Sequence, residues 1–198
     1  MADFEAVKKE LEERGYRVRT FSTGAAAADY LDGAIDGKTV GFGGSVTLDA
    51  LGLYDRLGAH NEVFWHWKQE AGSARRAAMG TDVYLTSANG LAETGEIINI
   101  DGAGNRAAST LFGHGKVYFV IGRNKLASTY EEALWRARNI AGPQNARRLG
   151  KKTPCAVRGD RCYDCKSPDR ICRGLVVLWG PVVGMETEIL LVDEDLGL

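Results

Sequence analysis

Cys155, Cys162, Cys165 and Cys172 are the four cysteines of the chain, and they fall within eighteen residues as C-x6-C-x2-C-x6-C. Thiolates are the soft ligands that zinc and iron–sulfur centres take. In a chain read as cytosolic, four clustered thiols point to metal ligation before disulfides. Three disulfide pairings are also open, but a chain of 198 residues buries roughly 70% of its unfolded surface and folds without staples. The spacing leaves the metal open. A zinc ribbon usually carries two close pairs, and here only Cys162 and Cys165 form one. The charge around the thiols suits either metal. Residues 143–173 hold nine Lys/Arg and three Asp, a local +6 within a chain of net charge −1, which leaves −7 on the rest. Arg158, Arg161, Lys166, Arg170 and Arg173 offset a thiolate cluster, and Pro154 and Pro168 stiffen the loop and lower the entropy cost of gathering ligands.

Three further clusters each follow an apolar run. In TVGFGGSVTLDALG, Gly43, Gly44 and Ser45 join a short strand to a helical pattern. Such a turn aims backbone N–H groups and a helix N-terminus at an anion, and the same turn is also a plain helix cap by Ser45. It matches neither a dinucleotide fingerprint nor a Walker A loop. Residues 86–106, TSANGLAETGEIINIDGAGNR, bring Asn89, Asp101, Asn105 and Arg106 onto glycine-supported loops. Asn and Asp serve turns as readily as ligands. Gly122, Arg123, Asn124 and Lys125 follow KVYFVI. Polar groups at three strand ends converge on one sheet edge, so Gly43, Gly44, Ser45, Asn89, Asp101, Asn105, Arg106 and Arg123 are read as one pocket for a small anionic metabolite. His60, His66 and His114 have no metalloprotease spacing, and the serines lack a nucleophile elbow.

The elements that must position these groups read as alternating strands and helices. Helices are predicted over 2–14, from Thr23 to near Gly33, over 46–57, 69–79, 105–112 and 129–141, with a further turn from Pro143 to Leu149. Strands are predicted over 16–21, 39–42, 62–67, 82–87, 96–100 and 116–121, and two closing strands over 175–179 and 188–192. This is an α/β chain with a mostly parallel sheet flanked by helices, read as one domain over 1–198. Residues 1–38 form its N-terminal helical region, and a C-terminal cysteine-rich loop covers 150–174. No apolar run approaches the ~18–20 residues of a membrane span, and the charged N-terminus is no signal peptide, so a cytoplasmic location is expected. A pI near 6.3 without a recognition motif argues against nucleic acid.

Several unusual strings occur in one order: GFGGSVTL, DVYLTSAN, ETGEIINIDGAGNR, VIGRNK, RARNIAGPQNARRL, KTPC and CYDCKSPDRIC, closing on EDLGL. Together, over about 39–196, they resemble the lactate-utilization (LUD) domain family. The resemblance implies a fold of the sugar-isomerase and CoA-transferase type. It also implies association with bacterial operons that oxidise lactate to pyruvate, often beside iron–sulfur and flavin proteins, which are the expected partners. It carries over no catalytic residues. With electron transfer implied, a [4Fe–4S] cluster is the expected centre and a structural zinc the alternative. The other readings are a stand-alone enzyme acting on a phosphorylated or CoA-linked metabolite, and a regulator that binds a metabolite without chemistry.

Overall fold

A computed structural model describes residues 4–198. The chain opens with α1 (Phe4–Glu13), β1 (Arg17–Phe21), α2 (Gly24–Ala34) and β2 (Thr39–Phe42). It continues through α3 (Val46–Ala50), α4 (Leu53–Gly58), β3 (Glu62–Phe64), α5 (Ala71–Ala78) and β4 (Val83–Thr86). The middle holds β5 (Gly90–Ala92), β6 (Ile97–Asp101), α6 (Asn105–Ser109), β7 (Lys116–Gly122) and a 3-10 turn at Arg123–Lys125. Then come β8 (Leu126–Ala127), α7 (Tyr130–Arg136), a π turn (Ala137–Ala141), α8 (Gly142–Arg148), α9 (Pro154–Arg158), β9 (Gly174–Leu178) and β10 (Glu186–Val192). Residues 2 and 3 of the first expected helix lie outside the described residues.

Six strands form a parallel sheet in the order β1-β10-β7-β4-β2-β3. Its central strands are apolar because both faces are covered. Tyr118, Val120, Leu190 and Val192 join one core cluster with Leu31, Phe42 and Trp65. Their neighbours Val117, Phe119, Ile121, Ile189 and Leu191 join the other, with Val7, Leu11 and Leu91. The period-2 alternation thus sorts each strand into two cores, and each such side chain contributes roughly 1.5–3 kcal/mol of burial. A smaller mixed sheet, β8-β5-β6-β9, packs under α7.

Several local expectations shift. The single helix expected over 46–57 is broken at Gly52, whose φ of 63° lies in the left-handed region. The strand expected over 62–67 ends at Phe64, and Trp65 to Trp67 turn back to stack on each other at 5.4 Å. The helices on either side of Pro143 are continuous, because the π turn absorbs the proline's missing donor. The two closing strands separate: β9 runs antiparallel to β6 in the small sheet, and β10 inserts between β1 and β7. β5 and β8 carry too few residues for any period to show. No helix among the described residues is long and apolar enough to cross a membrane.

Candidate functional site

The chain runs from β2 outward to β3 and then returns across β2 to β4. The strand order therefore reverses between β2 and β4, and in open α/β sheets the crevice outside the carboxyl ends at such a reversal takes ligands. The turn after β2 is 43–45, and the segment after β4 leads to Asn89. A cleft of about 410 Å³ opens there, and Gly44, Asn89, Asp101, Asn105 and Arg106 line it. Glycine at 44 keeps it open. A Cβ there would stand 3.2 Å from the Trp67 ring and 3.3 Å from His66 Nε2. Gly43 lies one step back, where a Cβ would press the Arg106 chain at 3.2 Å.

Ser45 serves the cap and not the cleft. Its hydroxyl accepts from Leu48 N–H at 3.3 Å, its φ is −147°, and it is buried at the start of a five-residue helix. Arg123 is also elsewhere. It is exposed and pairs with Asp195 at 3.1 Å and Asp193 at 3.4 Å. The 3-10 turn is the reason: at three residues per turn, side chains two apart point about 120° apart, so Arg123 faces out while Lys125 faces in. The structure thus brings Asn89, Asp101, Asn105 and Arg106 to the cleft and places Ser45 and Arg123 outside it.

Arg106 reaches the cleft with its terminal nitrogens already occupied. Nη1 donates to Ser87 O (3.2 Å) and Asn99 Oδ1 (2.6 Å), and Nη2 to Asn89 Oδ1 (3.0 Å) and Ile100 O (2.6 Å). Four neutral acceptors hold its charge in place and tie β4, β6 and α6 together. Asp101 caps α6 by accepting from Ala103 N–H and Ala107 N–H. Burial pushes its carboxyl up, but the Ala107 N–H and the nearby Arg106 charge outweigh that and hold it below the usual range.

The rest of the wall comes from distant segments. His66 and Trp67 follow β3, Arg75 lies on α5, Arg148 ends α8, and Lys151, Arg170 and Arg173 come from the cysteine loop region. Burial, reinforced by repulsion from Arg75, pushes the His66 imidazole below its ordinary value, so it is neutral at neutral pH. The Arg148 guanidinium lies 4.5 Å over the Trp67 ring. The clustered basic residues of 143–173 were the sequence signal for this wall; nothing local marks Arg75 or Trp67.

A second cavity of about 330 Å³ adjoins the cleft and is lined by Cys155, Cys162, Cys165 and Cys172 together. All four thiols are unpaired and half-buried. They surround the space without closing on a point: among the described residues no three His, Cys, Asp or Glu are gathered to hold one ion. Their surroundings fit a thiolate-bound centre. Arg138, Arg170 and Arg173 line the same cavity, and Ile100, Leu134, Pro143 and Leu175 supply apolar wall. Asp164 N–H points to Cys162 Sγ at 3.4 Å, and Cys162 N–H is held by Asn139 Oδ1 in the π turn. Arg170 donates to Cys165 O and Cys172 O, each at 2.8 Å. Ile100, Gly142 and the run Arg170 to Arg173, Cys172 included, line both cavities, so the two spaces share one wall.

The model of the LUD domain matches residues 4–192. This chain belongs to the LUD domain family. Its fold is also that of a solved DUF162 family protein from Deinococcus radiodurans, with a TM-score of 0.57, 14% sequence identity, and coverage of 95% of this chain and 94% of that one. At that identity the likeness is one of fold. No curated protein matches the sequence. The LUD domain thus places its sheet reversal, its cationic cleft and its four-cysteine cavity at one end of the molecule.

Proposed function

We propose that this LUD-domain protein binds a small organic anion in the cleft beside β2 and β4 and holds a metal centre in the adjoining cavity. The centre is a [4Fe–4S] cluster in preference to zinc, and the protein serves as an electron-carrying component in the oxidation of lactate or a related organic acid. The supporting observation is the shared wall from Arg170 to Arg173, which lines both spaces. Cys155, Cys162, Cys165 and Cys172 would hold the centre, which when bound supplies one-electron transfer. Arg138, Arg170 and Arg173 would offset the charge of the bound thiolates, and the Asp164 N–H points to Cys162 Sγ. The cleft residues bind and orient the anion. Oxidation of a 2-hydroxy acid releases two electrons, so the partner that would take them from substrate is a flavin protein, a two-electron acceptor that can hand them on one at a time.

Anaerobic purification followed by iron, sulfide and zinc analysis tests this. The expected result is about four iron and four sulfide per chain, a paramagnetic signal on reduction, and loss of both metal and signal in Cys165→Ser. The same variant should become protease-sensitive between Gly150 and Gly174, because the ligands tie that loop down. Zinc without iron or sulfide would remove the redox reading and leave a structural clip. Protein with neither metal would remove the centre.

A further inference from the structure

Behind the cleft, positive charge accumulates without acidic side-chain partners. Lys125 and Arg136 are 3% and 8% exposed, and half-buried Arg106 lines the cleft. Lys125 Nζ donates to Thr47 Oγ1 at 2.9 Å and Ser87 Oγ at 2.7 Å. Arg136 donates to main-chain oxygens of Asn124 (2.6 Å) and Asn89 (2.7 Å), and to the α-carboxyl oxygen of Leu198 (3.4 Å). Among the described residues, no acidic side chain is a hydrogen-bond partner of any of the three. Asp101 is the acid whose charge Arg106 feels, and its oxygens are engaged with the backbone of α6. Buried cations in folded proteins are ordinarily paired with acids, because the low-dielectric interior makes an uncompensated charge costly.

The rim repeats the pattern. Six cationic side chains line the cleft (Arg75, Arg106, Arg148, Lys151, Arg170 and Arg173) against two acidic ones, Asp101 and Asp169. Asp169 is drawn off to the Lys152 N–H at 2.9 Å, and Arg170 is paired with Asp164 at 3.0 Å. Arg75 Nε is buried with no hydrogen-bond partner. A three-carbon hydroxy acid brings one negative charge, and in a cleft of about 410 Å³ it would leave most of the space to water and most of the charge uncompensated. The cleft has the volume of a site for a larger ligand.

We infer that the ligand of this cleft is an organic polyanion carrying at least two anionic groups, a di- or tricarboxylate or a phosphorylated acid, and not a monocarboxylate. This rests on the reading of the cleft as the anion site and narrows the acid it accepts. One anionic group lies near Gly44 in the field of Arg106 and Arg136. The other reaches the Arg148 and Lys151 rim.

Calorimetric titration of the full chain with L-lactate, citrate and 3-phosphoglycerate, at pH 7.5 and fixed ionic strength, tests it. Citrate or 3-phosphoglycerate, whichever matches the site, should bind at least tenfold more tightly than lactate. The stronger of the two reports whether carboxylate or phosphate is preferred. Arg148→Gln and Lys151→Gln should each weaken that acid at least fivefold and reduce the rise in melting temperature that it produces, with the free protein's melting temperature unchanged for Lys151→Gln and lowered by about a few degrees for Arg148→Gln, which loses the contact with Trp67. Lactate binding as tightly as both polyanions, no binding of either polyanion, or polyanion binding indifferent to both variants would overturn the inference. A protein that carries iron and sulfide yet prefers lactate loses this inference and keeps the function proposed above. One that binds polyanions without any metal does the reverse.

Discussion

Lys125→Met removes a buried ammonium and should remove a pH dependence with it. Burial pushes the Lys125 ammonium down to about 7, and the Arg136 and Arg106 charges add to that. The groups that face it are Thr47, Ser87, Arg106, Arg136 and the chain at Leu196 and Gly197, where a Cβ at Gly197 would stand 3.4 Å from Nζ. A lysine whose folded pKa is depressed is more protonated in the unfolded chain between the folded value and about 10.4. In that window the unfolded state binds the extra proton, so stability rises with pH; below about 7 both states are charged and the slope vanishes. Full linkage is about 1.4 kcal/mol per pH unit. From pH 7.5 to 9.5 the wild type should therefore gain about 2.5 kcal/mol relative to Lys125→Met. Urea unfolding of both proteins at 0.5-unit steps, about four intervals, measures it as the difference between the two curves, in which other titrating groups cancel. The methionine fills most of the lysine's volume, so the variant should be at least as stable as the wild type at pH 7. Parallel curves for the two proteins across this window would refute the assignment of an uncompensated buried ammonium.

Three more outcomes follow from single contacts. Asn89→Ala takes an acceptor from Arg106 Nη2 and from Ile100 N–H; it should cost about 1–3 kcal/mol in chemical unfolding and lower ligand affinity in the cleft. Glu188 is 2% exposed and accepts from Arg19, Tyr30 and Lys116. Burial pushes its carboxyl up, but the hydrogen bonds from Lys116, Tyr30 and Arg19 and the Lys116 charge hold it below the usual range, so its contribution is present above about pH 4.5 and lost as pH falls through the depressed value. Glu188→Gln should cost about 3–5 kcal/mol at pH 7 and flatten the acid limb of the stability curve; an acid limb as steep as the wild type's would contradict this. Gly44→Val needs the Trp67 ring and His66 to give by a few tenths of an ångström, so it should cost about 1–3 kcal/mol while abolishing anion binding in the same calorimetric titration.

What the sequence alone determined was whatever depends on neighbours within a turn or a pleat. KVYFVI and DVYLTS read as buried strands because both faces of a central parallel strand are apolar, and β7 and β4 fall within those runs. Thr23 caps α2, and Gly15 takes the positive φ that ends α1. The convergence of Gly44, Asn89, Asp101, Asn105 and Arg106 was legible because strand ends share one edge of a parallel sheet. The clustering of the four thiols was legible because eighteen residues of loop keep them close whatever the topology. Only the tertiary structure decided which charges face the cleft. Arg123 and Lys125 are two residues apart with the same sign, and a single 3-10 turn sends one to solvent and the other inside. Arg106, read as a pocket residue, has its terminal nitrogens engaged by four neutral acceptors from the segment after β4 and from β6. Arg75, Trp67 and Arg148 join the wall because the crossover at β2 and β4 brings α5, the β3 turn and the end of α8 to one place. Local patterns encode which side of an element is apolar; the order in which strands insert into a sheet is set by packing between segments far apart in the chain, and the composition of the cleft follows that order.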